Sequence, residues 1–411
     1  MDNTRSLAIH NGAMPAEFAP SLPAGPRTDT TLPGFTLAQI GIRNGRIATV
    51  DSPLVPASYP TQPTLDARGC SILPGFIDIH VHGSAGHDVM DASPAALAAL
   101  AQFFAQHGVT AFMPTTMTAP HSNTVRAVAA VTTALAQPSA MVGARMLGVH
   151  LEGPYISPQF PGAQPATYIR PPNLAEFSEL LMAGPIRMIT LAPEATGAAQ
   201  FIEHALQHNV KVVLGHTNAT YEECEAAIAV GVSQATHTYN AMSGLHQRHP
   251  GTLGAVLSND AIYAQLISDN FHVHPAAMKI LAWCKGVART ILITDAMRAT
   301  GLADGDYDLG GQVVIVKNGQ CRLPDGTLAG STLTMERGLI NFMAATGLSL
   351  AEAWPVSSRT AAQALGLDHE MGTITPGYRA DLVVLDAQLA VVATIVDGSL
   401  AYLRDPERLT P

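Results

Sequence analysis

Short apolar runs that stop abruptly at a histidine or an acid recur along the middle of this chain. The clearest are GFIDIHVHG (75–83), RMLGVHLEGP (145–154), VKVVLGHTNA (210–219), SQATHTYNAM (233–242) and RTILITDAM (289–297). Continuous apolar stretches of this length, bounded by Gly, Pro or Asn, read as strands buried on both faces. Between them the period changes to that of a helix, as in PAALAALAQFFAQHG (94–108) and EECEAAIAVGV (222–232). Strand candidates begin near Phe76, Val109, Met146, Ile186, Val210, Ala235, Tyr263 and Thr290. Alternation of this kind predicts an α/β fold, a (β/α)8 TIM barrel with its strands in sequence order.

The flanks have a different texture. The first two dozen residues are rich in Pro and Ala and read as irregular, and Thr36 to Leu73 reads as short strands and turns. Within it AQIGIRNGRIATV (38–50) alternates around Asn44-Gly45, a hairpin signal. GTITPGYRADLVVLDAQLAVVATIVDG (372–398) has the same character. The expectation is a small β-sandwich domain built from both chain termini, residues 1–73 and 372–411, around a barrel spanning 74–371.

Chemistry enters at the ends of the strands. His80 and His82 are two apart in a strand, so their side chains share a face; alternation puts Asp78 below them and turns Ile77, Ile79 and Val81 toward the helices. Glu152, His216 and His237 end further strands, and Asp295 ends the last. Each alone would serve equally well as a satisfied core residue or, for Asp295, a helix cap. Together they occupy the carboxyl end of a barrel, where imidazoles and carboxylates assemble a metal site that activates water. Asp295 is then the general base, and His150 supports a ligand through a hydrogen bond.

Composition narrows the setting. The chain has 411 residues, 47% of them hydrophobic, and a net charge of −10. Nucleic-acid binding through a basic surface is not expected. Four scattered cysteines contain no CxxC pair, so neither a disulfide framework nor a cysteine zinc site is expected. No signal-peptide core or membrane-length apolar run is visible, which predicts a cytoplasmic protein without a membrane partner.

The motifs ILPGFIDIHVHG (72–83), HLEGPYIS (150–157), GHTNAT (215–220), THTYNAM (236–242), TDAM (294–297) and DGTLAGSTLTM (325–335) resemble the amidohydrolase superfamily, and within it the N-acetylglucosamine-6-phosphate deacetylases. GTITPGYRADLVVLD (372–386) is similar to the superfamily's C-terminal segment, and the likeness runs from about Gly41 to Asp397. It implies a metal-dependent hydrolase releasing acetate from N-acetylglucosamine 6-phosphate. It assigns the main metal to Glu152, His216 and His237, the acid/base role to Asp295 and carbonyl polarisation to His272. It assigns substrate contacts to Ala163, Asn240, Ala241, Leu328, Ala329 and Gly330, and to Arg248 reaching into a neighbouring subunit of a homodimer.

Some members of that family carry amides where this chain has His80 and His82, so two metals are possible here. Zinc, iron, cobalt and manganese all suit the donors. Pro161 and Gln164 replace a Lys and a His of other members. Three readings remain beside it: the galacto-configured substrate, another amidohydrolase of the N-acyl-amino-acid deacylase or dihydroorotase type, and a catalytically silent scaffold. A carbamylated lysine bridge is not expected, since Lys211 begins a strand rather than ending one.

Overall fold

The structure is a computed structural model; it describes residues 5–18, 32–52, 62–137 and 142–410. Eight parallel strands follow one another as β1 (Phe76–Val81), β2 (Val109–Thr116), β3 (Val149–Glu152), β4 (Ile186–Leu191), β5 (Lys211–Leu214), β6 (Gln234–Ala235), β7 (Tyr263–Ile267) and β8 (Thr290–Ile293). Each pairs with its sequence neighbour, and β1 and β8 meet through a parallel bridge between Val81 and Ala296. Backbone hydrogen bonds from Asp295 N to His80 O (3.0 Å) and from His82 N to Ala296 O (2.8 Å) hold this seam. The closure brings His80 and His82 beside Asp295.

Helices cover the barrel because each offers one apolar stripe. In Pro94–Gln106, Ala96, Leu97, Leu100, Ala101, Phe104 and Ala105 are buried, at helical spacing; Ser93 caps the N-terminus by accepting from Ala96 N, and Pro94 occupies the first turn. Inside the barrel Met113, Met188, Val213, Ile267, Ile291 and Ile293 form a separate apolar layer below the site.

Strands from both ends of the chain join in one separate sheet, where a sandwich was expected. Ser399–Leu403, Val391–Val396, Leu382–Leu385, Ser71–Pro74, Leu7–Pro15, Phe35–Arg43 and Arg46–Asp51 lie side by side in one sheet, with Thr64–Asp66 and Leu409–Thr410 off its path. Asn44 (φ 52°) and Gly45 (φ 77°) form the turn between two of these strands, both with positive φ, as that tight hairpin requires. Among the described residues, no helix is long and apolar enough to cross a membrane.

Three features depart from expectation. Leu7–Pro15 is a strand, not an irregular segment. It pairs antiparallel with Phe35–Arg43 across a register shift between Ile9 and Gly12, so the strand carries a bulge at Asn11-Gly12. A Cβ on Gly12 would lie 2.3 Å from Ile72 Cδ1, so the bulge packs against the neighbouring strand.

The second departure is in β1. Asp78 pairs with Phe112 but Val81 with Pro114, so β1 carries one residue more than β2 over this span. Strict alternation is lost. Asp78 accepts from His80 N within its own strand and from Thr294 N and Oγ1 on the adjoining strand end. Ile77 and Ile79 join the inner layer, while Val81 packs in the larger core that includes the helices. Third, Gly305–Leu309, Gln312–Lys317 and Gln320–Arg322 form an antiparallel sheet after β8.

Candidate metal centre and substrate cavity

The carboxyl ends of the strands deliver their polar residues to one point. Glu152 is the last residue of β3, and its two carboxylate oxygens face different histidines. Oε1 lies 3.2 Å from His216 Nε2 and 3.1 Å from His237 Nε2; Oε2 lies 3.1 Å from His82 Nε2. His80 Nε2 is 3.2 Å from Oε1 and 3.3 Å from His82 Nε2, and His216 and His237 are 3.1 Å apart at Nε2. Asp295 Oδ1 stands 3.3 Å from His82 Nε2 and 3.5 Å from His80 Nε2.

The backbone is bent to reach this arrangement. His216 (φ 48°), His237 (φ 26°) and Asp295 (φ 50°) all have positive φ just beyond their strands, a conformation bulky side chains seldom adopt and one that clusters at functional sites. Gly215 lets His216 turn in: a Cβ there would meet Thr190 Cγ2 at 2.7 Å and Thr236 Cβ at 2.8 Å.

The donor set fits a metal. Four imidazole nitrogens and one carboxylate form two buried groups, His80/His82/Glu152 and Glu152/His216/His237. Atoms bound tetrahedrally to one ion at about 2.0–2.2 Å are about 3.3–3.6 Å from each other, a little wider than the 3.1–3.3 Å separations within each group. The rings are also aimed from behind. His82 Nδ1 is 3.2 Å from Thr115 O and His216 Nδ1 is 3.0 Å from Phe160 O, each leaving Nε2 for a ligand.

Electrostatics agree. Burial pushes Glu152's carboxyl up, but the His80 charge and hydrogen bonds from the surrounding imidazoles outweigh it and hold it well below the usual range. Burial likewise opposes ionisation of Asp295, and His80 and His82 overcome it. Burial pushes His82 down, yet hydrogen bonds to Asp295 and Glu152 lift it well above its ordinary value. His150 is held well below its ordinary value by burial and by His80. Its Nε2 meets Thr190 Oγ1 at 2.7 Å and its Nδ1 meets Thr115 Oγ1 at 3.3 Å. It is a neutral ring boxed between hydroxyls and belongs to neither ligand group.

A cavity of about 410 Å3 opens above these groups. His82, Glu152, His216, His237 and Asp295 form its floor, while Ala163, Asn240, Ala241, His272, Leu328 and Gly330 line its walls. His272 is oriented by Asp269, which accepts from its Nδ1 at 2.7 Å and from its backbone N at 2.8 Å. The three-stranded sheet roofs one side: Leu309 lines the cavity, and Gln312 Nε2 donates to Ala163 O at 2.6 Å.

Two residues of the sequence-derived set are elsewhere. Ala329 is fully buried with Met117, Met297 and Val314 rather than facing the cavity. Arg248 is exposed outside it, and among the described residues its guanidinium has no hydrogen-bond or ion-pair partner. Neither Lys nor Arg lines the cavity among the described residues. Gln164 and Pro161, the two departures from other family members, both line the cavity, and the Gln164 side chain also reaches Glu152 and Thr118. Sequence reasoning did not single out Asp269, although an acid three residues before His272 was visible.

A model of the amidohydrolase family matches residues 71–401. The chain is 40% identical to N-acetylglucosamine-6-phosphate deacetylase of Bacillus subtilis (strain 168), over 89% of this chain and 92% of that protein. It is also 40% identical to N-acetylgalactosamine-6-phosphate deacetylase of Escherichia coli O157:H7, over 88% of this chain and 94% of that protein. Among solved structures, N-acetylglucosamine-6-phosphate deacetylase of Thermotoga maritima superposes with a TM-score of 0.83 at 34% identity, covering 96% of this chain and 99% of that one.

Proposed function

The chain belongs to the amidohydrolase family, and on that premise we propose that it hydrolyses the acetamide of N-acetylglucosamine 6-phosphate to acetate and glucosamine 6-phosphate. The observation that carries this reading is the floor of the cavity: two histidine groups sharing Glu152, with Asp295 beside them. Glu152, His216 and His237 would hold the main divalent cation, and His80 and His82 with Glu152 a second. When bound, such a cation polarises the substrate carbonyl and acidifies water. The same donors suit zinc, iron, cobalt or manganese.

The chain's own groups then divide the work. Asp295 takes a proton from the attacking water as the new C–O bond forms. His272, aimed by Asp269, donates from Nε2 toward the carbonyl oxygen as negative charge develops there. Asp295 returns its proton to the sugar nitrogen as the C–N bond breaks. Asn240, Ala241, Ala163, Leu328 and Gly330 shape the space for the sugar. Residues 74–371 are the catalytic unit, and 1–73 with 372–411 the supporting one.

A phosphate ester bound in this cavity needs a cation that the cavity's own walls, among the described residues, do not supply. Arg248, exposed and unpartnered, is suited to supply it to a second copy, which makes the working unit a homodimer in the cytoplasm.

The galacto-configured substrate is the second reading, because a relative of equal identity bears that name. Acetate release from both phosphorylated sugars, measured side by side on metal-loaded protein, tests the proposal. A kcat/KM at least tenfold higher for the gluco sugar is expected. The reverse preference would assign the galacto sugar, and no release from either would remove the reading.

A further inference from the structure

The barrel has a second concavity, at the end opposite the metal centre. It encloses about 190 Å3 beside the first residues of β4 and β5. Its charge is lopsided: Arg145, Arg187, Lys211 and Arg379 line it against a single acid, Glu370. Two of these cations are answered. Arg145 Nη2 holds Asp381 at 2.9 and 3.1 Å, and Arg379 binds Glu370 (3.1 Å) and Asp397 (3.2 Å).

The other two are not. Lys211 is paired in register with Met188, a residue of the inner layer, so it enters the lower end of the barrel and is half-buried there. Among the described residues neither Lys211 nor Arg187 has a hydrogen-bond or ion-pair partner. Arg145 also keeps Nη1 buried and unpaired. A partly buried lysine without a counter-ion is costly, and this one sits in a protein of net charge −10. Apolar neighbours such as Met113 and Leu147 reduce screening inside the hollow, while exposed Arg187 and Asn209 leave it open to solvent.

We propose that this hollow is a second anion site, for a small phosphate ester, formed by Lys211 and Arg187. Two unanswered cations match a dianion, and the planar arginine donors suit the oxygens of a phosphate. The site is separated from the metal centre by the inner apolar layer and uses none of its residues.

Inorganic phosphate is the probe, acetate the comparison, and metal-loaded full-length protein the sample. Crystals soaked in phosphate should show it between Lys211 and Arg187, and calorimetry should find phosphate at least tenfold tighter there than acetate. The double variant Arg187→Gln/Lys211→Gln should lose this site, with at least a tenfold weaker phosphate term, at unchanged kcat. Lys211→Met alone should weaken it in the same direction. An empty hollow in soaked wild-type crystals, phosphate binding unchanged in both variants, or acetate binding equal to phosphate would each overturn the proposal.

Discussion

Gln164 donates from Nε2 to Glu152 Oε2 at 2.6 Å, while its own Oε1 accepts from Thr118 N at 2.7 Å. Both ends of the amide are therefore committed, and its orientation is set by the backbone rather than by choice of rotamer. Glu152 is the carboxylate shared by the two histidine groups, and Gln164 holds the oxygen that faces His82, while Oε1 faces His80, His216 and His237.

Removing that support should be felt at the metal. Gln164→Ala should lower metal affinity about 10–100-fold, the range for groups that orient a ligand from behind. The larger loss should fall on the ion associated with His80 and His82. Metal titration of the chelator-treated protein checks this; unchanged affinity would show that Glu152 is held by the histidines alone.

Asp269 fixes the ring of His272 through Nδ1. Asp269→Ala should leave the fold and metal content intact and lower kcat by about one to two decades, part of the usual acid–base contribution. KM should move little, because the ring would still occupy the wall of the cavity. Steady-state kinetics with metal analysis separates these outcomes; a change confined to KM would recast His272 as a binding group only.

Arg248 lies outside its own cavity, its guanidinium without a partner among the described residues. Arg248→Ala should raise KM for the phosphorylated sugar strongly, through loss of a charge-assisted contact, and matter far less for unphosphorylated N-acetylglucosamine. Mixing it with Asp295→Asn protein should restore activity, because hybrid dimers contain one site with both residues intact. Subunit exchange without recovery would place Arg248's role within its own chain or nowhere.

The barrel was legible because its signal is local. Each apolar run ended in a polar residue, and β1, β2, β4, β7 and β8 begin where their sequences suggest. β3 begins later than expected: Arg145–Met146 makes a separate short pairing, and Gly148, at φ 126°, intervenes before Val149. What stayed hidden was set by distant partners. Asn11-Gly12 has the composition of a turn, yet it forms a bulge within a strand that packs against Ile72 of the neighbouring strand. The alternation in β1 is broken by an extra residue between Asp78 and Val81, where Asp78 is held by Thr294, 216 residues away. QVVIVK (312–317) alternates like a strand, but nothing local to it says that it would roof the cavity. The convergence of His80, His82, Glu152, His216, His237 and Asp295 follows from barrel closure, so strand-end position was enough to find them.

The central claim is that a metal-loaded site uses Asp295 to move the proton. Its most direct test is kcat of Asp295→Asn on N-acetylglucosamine 6-phosphate, in protein shown to carry the wild-type metal content. The account predicts a loss of about three decades or more, since attack of water and departure of the amine both depend on this carboxylate. Turnover within tenfold of the parent protein, with the metal in place, would contradict it.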